Sequence, residues 1–514
     1  MNQRVVRLSA LLLTLAAPAS AQLISIKTVR LAQADQFDIF PSLNLAMGGV
    51  SIALADSLLD PLVNPAKGAR IGASRLFGSP AIYSVTSDAG GGRTLPLGTL
   101  LRTGPWFGGV ALALQQVDAA RSPQQQFFNN PAARACVALA GVDCTSIVPP
   151  ALPPLERSHG NELAFGTLGR VLPGTGLSIG ASVFWARLTG VDGVDLLYPQ
   201  SARVSQLGHT LDLRIGALKE WAGDRSLEAL ILHSRFGMTH DVTYLDLFWD
   251  PGAQQILQRP RMEENLDRTN AWGLHLAYQR PLAATGWRIG WITTGNRMTH
   301  PKIPNYEIMD IPRDPGYSWA WNLGMGVSRR EGTATFGADA IYEPIRSTTW
   351  ADAETPVATL LGDTIPAGGR TIENRFHFSN ALFRLGFGDE LDLGRGASGK
   401  VAGLQLGLAV RSINYRLAQQ DNVSVTSRHQ TEHWIEWTPT WGVSLRFPKL
   451  EIRYRGRVTT GTGRPGVAGG CFDVCVAVPD RFAAGPILIA PSGPLTLEPV
   501  HVFIHSVSFA LPLR

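Results

Sequence analysis

Charge is scarce in this chain: Asp, Glu, Lys and Arg make up 17% of its 514 residues, against about 25% in an ordinary soluble protein. Lysine is scarcer still, with 46 Lys and Arg of which six are Lys. The formal net charge of +5 therefore rests on scattered arginines. No basic run of nucleic-acid type occurs, which excludes a nucleic-acid partner from the expected functions. The four cysteines, Cys136, Cys144, Cys471 and Cys475, form two close pairs in stretches without strand alternation. That suits disulfides in an oxidising compartment; three pairings are open, and spacing favours the local one. Neither pair has zinc-like CxxC spacing, so no metal is expected.

Long apolar runs are also missing. The one candidate opens the chain: Arg4 and Arg7, an apolar stretch Leu8 to Ala17, then Pro18-Ala19-Ser20-Ala21. It is too short to cross a bilayer and has the layout of a signal peptide cleaved after Ala21. Past it no window of about 18 apolar residues exists, so an exported chain with 45% hydrophobic residues either stays in water or crosses a membrane with strands.

What is present is glycine, 54 residues of it, with 13 Trp, and a period of two. Trp319, Trp321, Leu323, Met325 and Val327 alternate with Ala320, Asn322, Gly324, Gly326 and Ser328. Leu404 to Val410 and Trp272 to Tyr278 repeat the pattern, one face greasy and the other small or polar. Fourteen such segments follow one another: 106–117, 161–172, 177–188, 208–221, 226–238, 270–281, 286–298, 318–330, 333–345, 372–388, 401–416, 430–447, 449–460 and 499–513. Stretches 73–85 and 93–102 supply one further hairpin if the count is sixteen. Short turns such as Pro173-Gly174-Thr175-Gly176 and Glu331-Gly332 alternate with long connections such as 118–160, 239–269, 417–429 and 461–498.

An even number of strands joined by turns at one end and loops at the other is the layout of a transmembrane antiparallel β-barrel in a bacterial outer membrane. A soluble sandwich has no reason to obey it. The fold class read here is all-β, a barrel of 14 or 16 strands over residues 73–514, behind a signal peptide at 1–21 and a segment of different texture at 22–72. Trp106, Trp185, Trp221, Trp287, Trp319 and Trp350 lie near strand ends, where interfacial girdles sit. Pro439 and the phase change near Asn380 suggest kinks.

The segment before the barrel reads Ala46-Met47-Gly48-Gly49, then Asp56, then Asn64-Pro65-Ala66. In that position the motif resembles the FadL/TodX outer-membrane transport family and the related PorV-like barrels. The resemblance implies a hatch folded into the lumen, and passive uptake of hydrophobic or amphipathic small molecules such as long-chain fatty acids, which leave sideways through the wall. Outer-membrane lipid and the small molecule would be the partners, with no cofactor. The PorV-like alternative implies a barrel that binds or shuttles a secreted protein. Physically, Gly48 and Gly49 permit close backbone packing, and Pro65 fixes a turn that Asn64 can cap. The chain departs from many outer-membrane barrels in ending Leu513-Arg514 rather than on an aromatic residue.

Arg453, Arg455 and Arg457 alternate with Leu450, Ile452 and Tyr454, a lumenal basic ladder suited to a carboxylate head group. The plainer expectation pairs them with acids such as Glu162, Asp212, Asp339, Glu436 or Asp56. Gly394 to Lys400 matches a phosphate-loop spacing, yet Val401 replaces the hydroxyl residue and a strand follows instead of a helix. His233, His240, Asp241, Asp246 and Asp250 stand in no arrangement with a nucleophile, so no enzyme is expected.

Overall fold

A computed structural model describes residues 36, 39–86, 90–118, 158–191, 203–250, 255–282, 285–299, 316–353, 355–393, 400–465 and 497–513. Residues 1–21, expected as a signal peptide, all four cysteines and Gly394 to Gly399 lie outside them.

The first strand, β1, is broken in two, Arg75–Gly78 and Ala81–Val85, around Pro80. It is followed by β2 (Gly91–Thr103), β3 (Trp106–Asp118), β4 (Ser158–Leu172), β5 (Leu177–Leu188), β6 (Arg203–Trp221), β7 (Arg225–Asp250) and β8 (Gln255–Leu282). Then come β9 (Trp287–Thr299), β10 (Gly316–Glu331), β11 (Ala334–Asp352), β12 (Arg370–Asp392), β13 (Val401–Asp421), β14 (Thr426–Phe447), β15 (Leu450–Pro465) and β16 (Leu497–Pro512). Each pairs antiparallel with the next, and β16 returns to β1 through Val502–Val85 and Pro512–Arg75. The sheet is a closed barrel of sixteen strands, the seventeen stretches counting the two halves of β1 separately. The additional hairpin at 73–102 thus forms, because without it β3 and β16 would face hydrocarbon with unpaired edges.

The greasy face points out. On β3, Val110, Leu112 and Leu114 are more than 60% exposed, whereas Ala111 and Ala113 are 4% exposed. Trp272, Leu274, Leu276, Trp319, Leu323, Met325, Leu404 and Leu406 are likewise exposed. At the short-turn end Trp106, Trp221 and Trp287 carry Arg170, Lys219 and Arg329 over their rings at 5.1, 5.7 and 5.7 Å. Toward the other end, Trp319 and Trp350 carry Arg297 and Arg370 at 5.6 and 4.7 Å. Ring with cation suits the boundary between acyl chains and head groups. Among the described residues no helix is long and apolar enough to cross a membrane.

Two expected loops are ordered strand instead. Within 239–269, residues up to Asp250 continue β7 to 26 residues and those from Gln255 on begin β8, of 28 residues. A membrane strand needs about 9–11 residues, so this hairpin rises well beyond the bilayer. Residues 417–429 likewise extend β13 and β14 around Asn422 to Val425. The ladder skips two pairs between Phe378–Tyr415 and Ala381–Ser412, beside Asn380, and two more between Trp437–Thr460 and Thr440–Arg457, beside Pro439. It does so again between Ala320–Ile345 and Leu323–Tyr342, where Pro344 has no N–H to give.

Candidate functional site: the hatch and the lumenal cavity

Residues 39–72 lie inside the barrel at its short-turn end. A 3-10 turn at Leu45–Met47 ends on Gly48, whose φ of 70° is left-handed. One helical turn, α1 (Asp60–Val63), leads into a second 3-10 segment, Pro65–Arg70. Asn64 caps that segment, its Oδ1 accepting from the Ala66 N–H at 3.2 Å. Asp56 staples the hatch to itself: Oδ2 accepts from Ser42 Oγ (2.5 Å) and the Leu43 N–H (2.8 Å), and Oδ1 from the N–H groups of Leu58 and Leu59 (both 3.0 Å). A buried carboxylate with that many donors gathers backbone that has no ladder of its own.

The wall receives this chain on a belt of glycines. A β-carbon on Gly407 would lie 2.0 Å from Gly48 N, on Gly386 2.3 Å from the Met47 carbonyl oxygen, and on Gly442 2.6 Å from Ala46 Cβ. On the same belt, Gly290 and Gly326 would meet Ile52 at 2.4 and 2.6 Å, and Gly337 would meet Val50 at 2.6 Å. Across the barrel Gly216 would meet Asn64 at 2.0 Å and Gly180 would meet Pro65 at 2.7 Å. Any side chain there collides with the hatch, which gives part of the glycine content a structural reason.

Polar wall groups between the glycines satisfy the hatch backbone. Thr440 Oγ1 accepts from the Gly48 N–H at 2.9 Å and donates to the Ala46 carbonyl at 2.8 Å. Asp339 Oδ2 accepts from the Ser51 N–H at 2.9 Å. Gln279 Nε2 and Ser328 Oγ donate to the carbonyls of Ile52 and Ala53 at 2.8 and 2.7 Å. Arg214 donates to the Val63 carbonyl at 2.9 Å.

One buried ion cluster locks hatch to wall. Lys67 Nζ lies 3.1 Å from Asp60 and 3.3 Å from Glu228 of β7, and Asn64 Nδ2 donates to the other Glu228 oxygen at 3.0 Å. Burial alone would lower the Lys67 pKa, but the two carboxylates outweigh it and hold the ammonium above its ordinary range. Burial pushes Asp60 up, against the pull of Lys67.

Above the hatch lies a lumenal cavity of about 460 Å³. Its floor is the hatch, with Ser51, Ile52, Leu62 and Val63. Two residues up each strand come Leu230, Ile292, Ile341 and Leu382, an apolar band. Higher still are His275, Thr294, Asn296, Asn322, Glu343 and Arg411. At about 3.3 Å per residue this polar tier lies roughly 13–20 Å along the tilted strands from the belt of glycines.

The arginine ladder lies elsewhere on the lumenal face, where Arg455 opposes Gly442 and Arg457 opposes Thr440. Arg453 pairs with Glu451 of its own strand, and Arg455 donates to Ser506 Oγ at 2.6 Å. Asp212 pairs with Arg214 at 3.2 Å, and Asp56 and Asp339 are engaged by hatch backbone. None of the ladder lines the cavity. His233 stacks on Trp272 with ring centroids 4.2 Å apart. Lys67, Glu228, Glu343 and Arg411 were not singled out in the sequence. Their signal was a charge on the small-residue face of an alternating strand, or beside the Asn64-Pro65-Ala66 motif.

No protein-family model matches the chain, and no curated protein matches it. Solved structures of similar outline include the toluene transporter TodX of Pseudomonas putida, at 10% identity, covering 96% of this chain and all of that one with a TM-score of 0.39. A bacterial polysaccharide outer membrane secretin matches at 6% identity over 86% of this chain and 99% of that one, TM-score 0.39. CdiB from Escherichia coli matches at 9% identity over 84% and 62%, TM-score 0.39. At such values the likeness assigns no family, and the barrel rests on the chain's own closed sheet.

Proposed function

We propose that this chain is a passive outer-membrane channel that admits a hydrophobic or amphipathic small molecule into its lumen and moves it inward past the hatch. The carrying observation is the cavity between hatch and wall, where an apolar band of Leu62, Leu230, Ile292, Ile341 and Leu382 lies below a polar tier. A concave site of several hundred Å³ with a few convergent polar groups is what a small molecule needs. The short turns and the hatch face the periplasm in this reading, and the loops face outward. The channel uses no cofactor, energy source or catalytic residue.

Native mass spectrometry of the protein extracted from its own membrane in mild detergent tests the proposal. A stoichiometric apolar or amphipathic small molecule supports it. A tightly bound secreted protein over an empty lumen overturns it in favour of a partner-binding barrel, the reading that the ordered β7–β8 hairpin favours.

A further inference from the structure

Resting on the transport reading and narrowing it, we infer that the cavity selects amphiphiles whose head group is uncharged and carries both a hydrogen-bond donor and an acceptor, such as a hydroxyl or a carboxamide, over fatty carboxylates. Two observations converge on this. The first is charge. Four cations line the cavity, Lys67, Arg214, Arg384 and Arg411. Each already has a carboxylate: Lys67 has Asp60 and Glu228, Arg214 has Asp212 at 3.2 Å, Arg384 has Asp339 at 3.9 Å, and Arg411 has Glu343 at 3.0 Å. A carboxylate head group entering here meets cations already paired with carboxylates, beside acids that repel it.

The second is a pair of unused amide atoms. Asn296 is 1% exposed and lines the cavity, yet its Nδ2 has no hydrogen-bond partner. Asn322 lines the same tier, and its Oδ1 likewise has none. Strand pairing sets Asn322 opposite Thr294, two residues from Asn296 on β9, so donor and acceptor stand together. Buried amide groups are rarely left so, and a ligand group that both donates and accepts completes them in either amide orientation. The tail then runs down over Ile292, Ile341 and Leu382 toward Ile52 of the hatch. An alkane leaves both amide atoms unmet, and a carboxylate brings a charge with no unpaired partner.

The test measures binding of dodecanol, dodecanamide, dodecanoate and dodecane to the protein in lipid nanodiscs at pH 7.5, with native mass spectrometry as the readout. Expected is a preference for dodecanol and dodecanamide over dodecanoate on the order of tenfold, and a comparable preference over dodecane. Asn296→Leu should bring dodecanol down to the level of dodecane. Glu343→Gln, which leaves Arg411 without its carboxylate, should raise dodecanoate to parity or above. Dodecanoate binding as well as dodecanol in the unaltered protein, or dodecane doing so, overturns the head-group inference while leaving the transport reading standing. If none of the four binds, the transport reading itself fails.

Discussion

Gly386 and Gly407 face each other across β12 and β13, and the hatch chain at Met47–Gly48 lies directly on both. The contact is backbone on backbone: a β-carbon at Gly407 would come within 2.0 Å of Gly48 N. No rotamer change relieves such an overlap.

Gly407→Val should therefore unseat the hatch while leaving the barrel closed, at about 3 kcal/mol or more of lost hatch docking. Planar-bilayer recordings should show larger or more frequent openings than the unaltered protein. Gly72→Val, at a position with open space around it, should record like the original. Equal conductance in all three would mean that the belt does not hold the hatch.

Thr440 is the polar member of the same belt, and Thr440→Val keeps its shape while removing the bonds to Gly48 and Ala46. A loss of about 1–3 kcal/mol of local stability is expected. Hydrogen exchange at the Gly48 amide should accelerate by on the order of ten- to a hundredfold, with amides of β3 and β4 unchanged.

Lys67→Met leaves Asp60 and Glu228 buried without their cation, at about 3–5 kcal/mol. Adding Asp60→Asn and Glu228→Gln should restore most of that loss, because an uncharged cluster needs no counter-ion. The melting of the hatch, followed by a spin label on a cysteine placed at Gly72, would show the fall and the recovery. Stability that stays low in the triple variant would mean that shape rather than charge seats this corner.

The pH response follows from the same cluster. The folded pKa of Lys67 lies above its ordinary value of 10.5. Its stabilising contribution is thus complete below that value and is lost as pH rises through the folded pKa. Asp60 is also raised, so its contribution is complete below 3.8 and declines as pH rises through its folded value. Acid should therefore leave the Asp60 contribution intact, that contribution should fade as pH rises through the raised Asp60 value, and the Lys67 contribution should be lost only above about pH 10.5, where the spin label at Gly72 mobilises furthest. A label mobilised most in acid would contradict these directions.

Alternation made the wall legible. Trp319 to Ser328 shows which residues face out of the barrel, since a strand whose partners are all strands can differ only by face. Turn chemistry gave the short connections for the same local reason. The extra hairpin at 75–103 was weaker in the sequence because Pro80 and Pro96 interrupt its pattern. The 239–269 hairpin was missed as strand because outside the bilayer both faces are wet and alternation loses its driving force.

The sequence alone determined the period, the number of hairpins to within one, and a glycine-rich segment unlike the wall ahead of it. Tertiary structure decided which glycines are seats, which acid meets Lys67, and why the ladder at Arg453 to Arg457 lies off the cavity. Thr440 and Gly48 are 392 residues apart, and Asn64 and Glu228 are 164 apart. Such pairs form only when closure of the sheet sets strand order and register, and local propensity carries no record of that distance.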